Sequence, residues 1–490
     1  MSVPAFDNSY ARLPERFYAR VDPLRLPAPS LIALNRNLAS ELGFEPDWLA
    51  SQEGLDFLTG RALAPGSEPI ATAYAGHQFG NFVSQLGDGR AILLGEVVDN
   101  HGQRRDIQLK GSGRTPFSRG GDGRAALGPV LREYLVSEAM AALGIPTTRS
   151  LAASATGDSV WRDGELPGAV LVRVASSHIR VGTFQFFAAH QDVEGIRLLA
   201  DHVIARHYLD AGRAEQPYRA LLEQVVNAQA DLIARWMLVG FIHGVMNTDN
   251  MSVAGETIDY GPCAFLDTYD PATVFSSIDR HGRYAFGNQP QIGLWDLTRL
   301  AETLLPLLAV ESEAAIEIAK EVLALFQPRF ARTHGEGMLA KLGIAKMRAG
   351  DGDLGNTILE AMQRNLVDFT RFFRRVSNAI EPGSGEEPVR ELFVDATAAD
   401  VVLRTWRARL AQEARLAAEI KLAMDAVNPV YIPRNHRIEV VIQAAIGGDF
   451  VPFHELREVL SLPFSSRPQF AGYEASPLEH ERVRATFCGT

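Results

Sequence analysis

Two short polar segments lie close together in the chain: His243-Gly244-Val245-Met246-Asn247-Thr248-Asp249-Asn250 and Ile258-Asp259-Tyr260-Gly261. The amide of Asn250 and the carboxylate of Asp259 are hard oxygen ligands. Magnesium takes one or two such groups together with phosphate oxygens and waters. A second group is Lys110 with a carboxylate from the following helix, an arrangement that would hold an ammonium against phosphate. Glu133 and Glu138 both qualify, and the apolar stripe of that helix does not choose between them. A third group comprises Gly87-Asp88-Gly89-Arg90, Gly111-Ser112-Gly113-Arg114 and Gly120-Gly121-Asp122-Gly123-Arg124. Glycines let backbone amides approach phosphate oxygens, and guanidinium forks grip them in bidentate fashion. Arg90, Arg173 and Arg180 would suit a site that holds a departing diphosphate. Taken singly, each feature has an ordinary alternative: a polar turn, a solvated lysine, an Asp-Gly hairpin.

The elements that must position these residues follow from periodicity. Residues 31–58 read as mostly helical. Residues 83–94 read as two strands joined by an Asp-Gly turn. Alternation predicts a strand over 106–110, and apolar residues at helical spacing predict a helix over 127–143 that Gly144-Ile145-Pro146 stops. Residues 169–174 form an apolar strand. From about residue 191 the pattern is helical, with helices over 218–241, 294–326, 356–376 and 398–424. The segment 428–435 reads as a rigid structural turn, and His77 and His101, without partners at metal spacing, as ordinary polar residues. A tail rich in Pro and Ser, from Pro463 to Pro477, is expected to wrap over the surface.

The chain has 490 residues, 46% hydrophobic and 22% charged, so more than one lobe is expected. The net charge of −11 argues against a general nucleic-acid binder. Between Arg104 and Glu133, however, seven basic residues face three acidic ones, a local +4 that fits a small anion such as a nucleoside triphosphate. No stretch is apolar enough for a membrane helix and no signal peptide is evident, so a cytoplasmic protein is expected. The two cysteines, Cys263 and Cys488, are too few for a disulfide scaffold. An intramolecular disulfide would have to join them and pin the tail beside the second polar loop. The ordinary alternative is a reduced thiol and a small buried filler at Cys263.

The two polar loops resemble those of protein kinases, in which H-x-D-x-x-x-x-N precedes a strand ending in D-F-G. His243, Asn250 and Asp259 match, but the position of the kinase base is Val245, which cannot accept a proton. Asp249 is the nearest spare carboxylate. Longer blocks resemble the selenoprotein O family of protein adenylyltransferases: Tyr74-Ala75-Gly76-His77-Gln78-Phe79-Gly80, Gln85-Leu86-Gly87-Asp88-Gly89-Arg90, Gln108-Leu109-Lys110-Gly111-Ser112-Gly113-Arg114-Thr115-Pro116 and Met246-Asn247-Thr248-Asp249-Asn250-Met251. The likeness is strong over about 70–295 and looser to the C-terminus.

That resemblance implies an α+β, protein-kinase-like two-lobe fold that transfers AMP from ATP to Ser, Thr or Tyr hydroxyls of proteins; some members also use UTP. It implies nucleotide contacts from Gly87, Gly89, Arg90, Lys110, Asp122, Gly123, Arg173 and Arg180. Asn250 and Asp259 would hold Mg2+ or Mn2+, with Asp259 also counted among the nucleotide-site residues. Asp249 would accept the proton and Glu133 would orient Lys110. Eukaryotic members carry selenocysteine near the C-terminus, where this chain has Cys488. The organisation expected is an N-terminal extension over 1–70, a strand-rich lobe over 71–190, a helical lobe with the catalytic and metal loops over 191–462 and a tail over 463–490. The expected partners are protein substrates, with neither nucleic acid nor membrane, and the expected state is a monomer.

Overall fold

The computed structural model describes residues 3–487. Its strand-rich part holds β1 (Tyr18–Arg20), β2 (Ser30–Leu34), β3 (Ile70–Thr72), β4 (Gly76–Gln78), β5 (Asn81–Val83), β6 (Ala91–Val98), β7 (Arg104–Lys110), β8 (Ala125–Ala126), β9 (Arg149–Trp161) and β10 (Glu165–Ala175). Eight of these form one sheet in the order β1-β3-β6-β7-β10-β9-β2, with β8 on β10, and every pairing is antiparallel. Strand side chains alternate between faces, and here both faces are buried. Leu93, Ala153, Ala169 and Leu171 face the helix Leu127–Ala142. Leu94, Ile107, Leu109, Val170, Val172 and Val174 pack with Leu38, Leu42, Phe44, Leu49, Phe57 and Leu58 on the opposite side.

The helix Leu127–Ala142 ends as its sequence predicts. Gly144 has φ +76, its N–H donates to Ala141, and the Ile145 N–H donates to Met140, a Schellman motif. Two expectations need correction. Residues 31–58 begin with strand β2, followed by three short helices, Arg36–Glu41, Pro46–Leu49 and Gln52–Leu58. Residues 83–94 are not a hairpin: β5 pairs back onto β4, and β6 pairs with β3 and β7. Asp88 is buried between them, accepting from the Thr72 N–H at 3.0 Å and from its hydroxyl at 2.6 Å, and so ties down a loop instead of making a turn.

The helical part is built on Pro217–Val239, which Gly240 (φ +74) terminates. Strand β11 (Phe241–Ile242) follows and pairs with β12 (Ala264–Phe265). Both ends of the segment 243–263 are thereby pinned together, which brings its two polar loops side by side. Of the three later helices expected, each is interrupted: Gln289–Leu308 and Ser312–Leu323; Asp351–Arg364 and Phe369–Val376; Ala396–Leu410 and Ala417–Asp425. Segment 428–435 is structural, as read: buried Arg434 pairs with Asp267 and, at 2.9 Å, Asp368. Two final helices, Asn435–Ile446 and Val451–Leu460, return to the helix Leu127–Ala142, so strand-rich and helical parts share one hydrophobic cluster. Among the described residues no helix is long and apolar enough to cross a membrane.

Candidate active site

Lys110 ends β7, and its buried ammonium donates to Glu133 at 2.6 Å and to Asp259 at 2.9 Å. This answers the choice left open by the sequence. Glu138 lies five residues from Glu133, about 140° around the helix, and is taken by Arg149 (2.9 and 2.7 Å), the Ser150 N–H (2.8 Å) and Asn35 (2.7 Å). Arg173, on β10 beside β7, donates to the other oxygen of Glu133 and lies 3.3 Å from the same Asp259 oxygen that Lys110 holds. Two buried cations and two carboxylates thus form one network.

Asp259 sits at φ +68, a left-handed conformation uncommon outside glycine, which costs about 1 kcal/mol or more. Its side chain is 31% exposed, so it faces the opening of the site. Burial alone would raise its carboxyl, but Lys110, Arg173 and Arg90 outweigh that and hold it well below the usual carboxylate range. Glu133 is likewise held low: Arg173 and Lys110 overcome its burial. Asp249 behaves oppositely. It is 8% exposed, and burial pushes its carboxyl up to about 6, with Arg180 pulling the other way. Two neighbouring acids with divergent pKa values are the usual sign of divided roles, one permanently charged and one able to exchange a proton.

Asp249 Oδ1 has no hydrogen-bond partner among the described residues; Oδ2 accepts only a long contact from Gln78, 3.4 Å. Asn250 donates its amide N–H to the Val245 carbonyl at 3.0 Å, which leaves its amide oxygen for another partner. Val245 itself is a buried apolar residue. His243 supports both loops, its Nε2–H donating to Ile258 at 2.9 Å. The Asn250 amide oxygen and the ionised Asp259 carboxylate are hard oxygen donors that fit a divalent cation. No group of three His, Cys, Asp or Glu residues among the described residues could hold a metal unaided. Phosphate oxygens and water would complete the shell.

Arg180 lies 4.3 Å from the ring of Tyr74 and 3.8 Å from Asp88, and its Nη2 is buried without a hydrogen-bond partner among the described residues. Such a donor suits an anion. The charge of Arg90 reaches Lys110 and Asp259. The remaining candidates have contacts of their own. Asp122 is engaged by Arg162 at 2.9 and 3.1 Å and shares no bond with the Lys110 network. A Cβ on Gly123 would meet the Gly113 carbonyl at 2.0 Å, and Cβ atoms on Gly87 and Gly89 would meet Phe117 at 2.3 and 2.9 Å. Close packing within the protein requires these three glycines. The local +4 is also largely spent: Arg104, Arg105, Arg124 and Arg132 pair with Asp7, Asp99, Asp158 and Glu439.

Sequence reasoning missed the network beneath Asp249. His77, read as an ordinary polar residue, lies between Phe82 and Trp295 and accepts from Gln185 at 2.8 Å. Asp296, fully buried with neither carboxylate oxygen hydrogen-bonded among the described residues, is pushed well above the usual range by burial. No local spacing marked either. Cys263 is a buried residue whose Sγ lies 3.3 Å from the Tyr260 carbonyl, and burial pushes its thiol up to about 12. Cys488, and with it the pairing considered above, lies outside the described residues. The tail nevertheless reaches this region, since the Thr486 hydroxyl donates to the Pro262 carbonyl at 2.6 Å.

The chain matches the family described as "Protein adenylyltransferase SelO" over residues 2–461. Similar proteins include three called "Protein nucleotidyltransferase YdiU". That of Rhodopseudomonas palustris (strain BisB5) is 63% identical over 486 residues, covering 99% of both chains. That of Methylorubrum populi is 62% identical over 493 residues, again 99% of both. That of Bradyrhizobium sp. (strain BTAi1) is 61% identical over 487 residues with the same coverage. A match over nearly the whole chain, at such identity, shows that this protein belongs to the SelO family of protein adenylyltransferases, within the nucleotidyltransferase class of enzymes.

Proposed function

We propose that the protein transfers AMP from ATP to Ser, Thr or Tyr hydroxyls of other proteins and releases pyrophosphate. The observation that carries this reading is the exchange at the catalytic loop: a buried apolar Val245 where a kinase would hold its base, and a buried, partly unpartnered carboxylate at Asp249. In this reading the acceptor oxygen attacks the α-phosphorus and its proton passes to Asp249. The bond from the α-phosphorus to the bridging oxygen breaks, and pyrophosphate leaves with the electron pair. Lys110, Arg90, Arg173 and Arg180 neutralise the charge that develops on the leaving group. Asn250 and Asp259 would hold Mg2+ or Mn2+, which supplies further positive charge to the triphosphate. Glu133 keeps Lys110 in place.

The relatives' name, which specifies no nucleotide, is broad enough to include UTP as a second donor, with UMP transferred. The large antiparallel sheet, the lysine–glutamate pair and the paired loops after a long helix support a kinase-like two-lobe arrangement. Its divisions are an extension over 1–70, a nucleotide-gripping lobe over 71–190, a helical lobe over 191–462 and a tail over 463–490. Chromatography of the small-molecule products tests the reaction. Pyrophosphate should accumulate in step with modified acceptor protein, and EDTA should stop both until Mg2+ or Mn2+ is restored. Accumulation of ADP together with phosphorylated acceptor would contradict the proposal and establish a kinase with an unusual base.

A further inference from the structure

Strands β4 and β5 form a two-stranded hairpin outside the main sheet, and it lies against the loop that carries Asp249. Gln78 pairs with Asn81, so the connection is two residues, Phe79 and Gly80, with φ +51 and +85. Positive φ at both central residues is what a type I′ turn demands. It is rare for phenylalanine, and an uncommon conformation persists only where its surroundings enforce it. The enforcing contacts come from the catalytic loop. The Phe79 N–H donates to Asn247 at 3.0 Å, and the Phe79 ring lies 5.2 Å from Tyr284, whose hydroxyl donates to the same Asn247 oxygen at 2.7 Å. The His77 N–H donates to the Thr248 hydroxyl at 2.7 Å, and that hydroxyl donates to Gln185 at 2.6 Å.

The hairpin therefore grips the two residues before Asp249 through its backbone. It also reaches the carboxylate itself. A Cβ on Gly76 would lie 2.7 Å from Asp249 Oδ1, and Gln78 Nε2 approaches Oδ2 at 3.4 Å. Oδ1 is thus buried against Gly76 without a hydrogen-bond partner among the described residues, while Oδ2 faces the amide donor of Gln78.

We propose that the β4–β5 hairpin is a positioning element for Asp249, in which Gly76 leaves room for the carboxylate and Gln78, through Oδ2, fixes its orientation. This rests on Asp249 being the proton acceptor. The acceptor oxygen bonds to the α-phosphorus, its proton goes to the Asp249 carboxylate, and pyrophosphate departs with the electrons of the broken bond. Gly76 and Gln78 touch neither nucleotide nor acceptor in this scheme.

The test measures AMP-transfer rate and ATP dissociation constant for Gln78→Ala, Gly76→Ala, Asp249→Asn and Gln78→Ala/Asp249→Asn. The hairpin variants should each lower kcat about tenfold or more and leave the ATP dissociation constant within about twofold, because a group acting through another adds nothing once that partner is removed. The double variant should be no slower than Asp249→Asn. Wild-type rates in both hairpin variants, or losses that multiply in the double variant, overturn the positioning role while Asp249 stands. Full activity in Asp249→Asn overturns the reading of Asp249 and the hairpin proposal with it. Gly76 lies on a strand with ordinary φ, so its alanine variant keeps the test open if Gln78→Ala fails to fold.

Discussion

At the scale of single residues, one oxygen of Asp259 receives both Lys110 and Arg173, and Glu133 gives one oxygen to each of the same cations. Groups linked so closely should fail together. Lys110→Ala and Glu133→Ala are each expected to reduce AMP transfer about 100-fold or more, and the double variant no further, because members of one unit are strongly non-additive. Multiplying losses in the rate assay would show that they act separately. Their stabilities should differ. Lys110→Ala leaves Arg173 to balance Glu133, whereas Glu133→Ala strands two buried cations on Asp259, a loss on the order of 3–5 kcal/mol. Thermal melts should place Glu133→Ala clearly below Lys110→Ala. Asn250 and Asp259 could be paired from the sequence because their spacing is local, and Lys110 could be placed because it closes an alternating strand. The choice of Glu133 over Glu138 was not, since it depends on how the helix is rotated against β7.

At the scale of elements, Lys341 ends the helix Phe326–Lys341 and is 3% exposed, with its ammonium 4.4 Å from the Phe373 ring centre. Burial lowers its pKa from 10.5 to about 7. Between those values the unfolded chain holds a proton that the folded one lacks, so stability should rise with pH across that window. Below about pH 7 the full penalty of charging the buried amine applies. Lys341→Met should therefore stabilise the protein by about 2 kcal/mol or more at pH 6, a gain that fades toward pH 10. Denaturant unfolding at several pH values checks this, and a pH-independent difference would contradict it. Alternation and helical spacing made β7, β10 and the helix Leu127–Ala142 readable. Asp88-Gly89 misled because the same dipeptide serves a hairpin turn or, as here, a loop tied down through a buried side chain.

At the scale of the whole molecule, strand-rich and helical parts are joined by more than hydrophobic packing. Arg206, on the helix Val193–His207, reaches Glu96 on β6 at 3.1 Å and Asp106 on β7 at 2.5 Å, all three buried. Arg206→Ala should cost about 3–5 kcal/mol, because it leaves two buried carboxylates short of a partner. The ATP dissociation constant, measured well below the melting temperature, should hardly change; a loss of affinity equal to the loss of stability would place Arg206 in the nucleotide site. This joint, and the return of Asn435–Ile446 and Val451–Leu460 to Leu127–Ala142, link residues a hundred or more positions apart, which no local pattern records. In the proposed reaction these parts together make an AMP transferase with the base moved from position 245 to Asp249. Incubating the protein and an acceptor protein with ATP labelled at the α- or the γ-phosphate tests it most directly. Only the α label should become covalently attached, and Asp249→Asn should abolish the attachment; attachment of the γ label, or of neither, would rule out AMP transfer by this route.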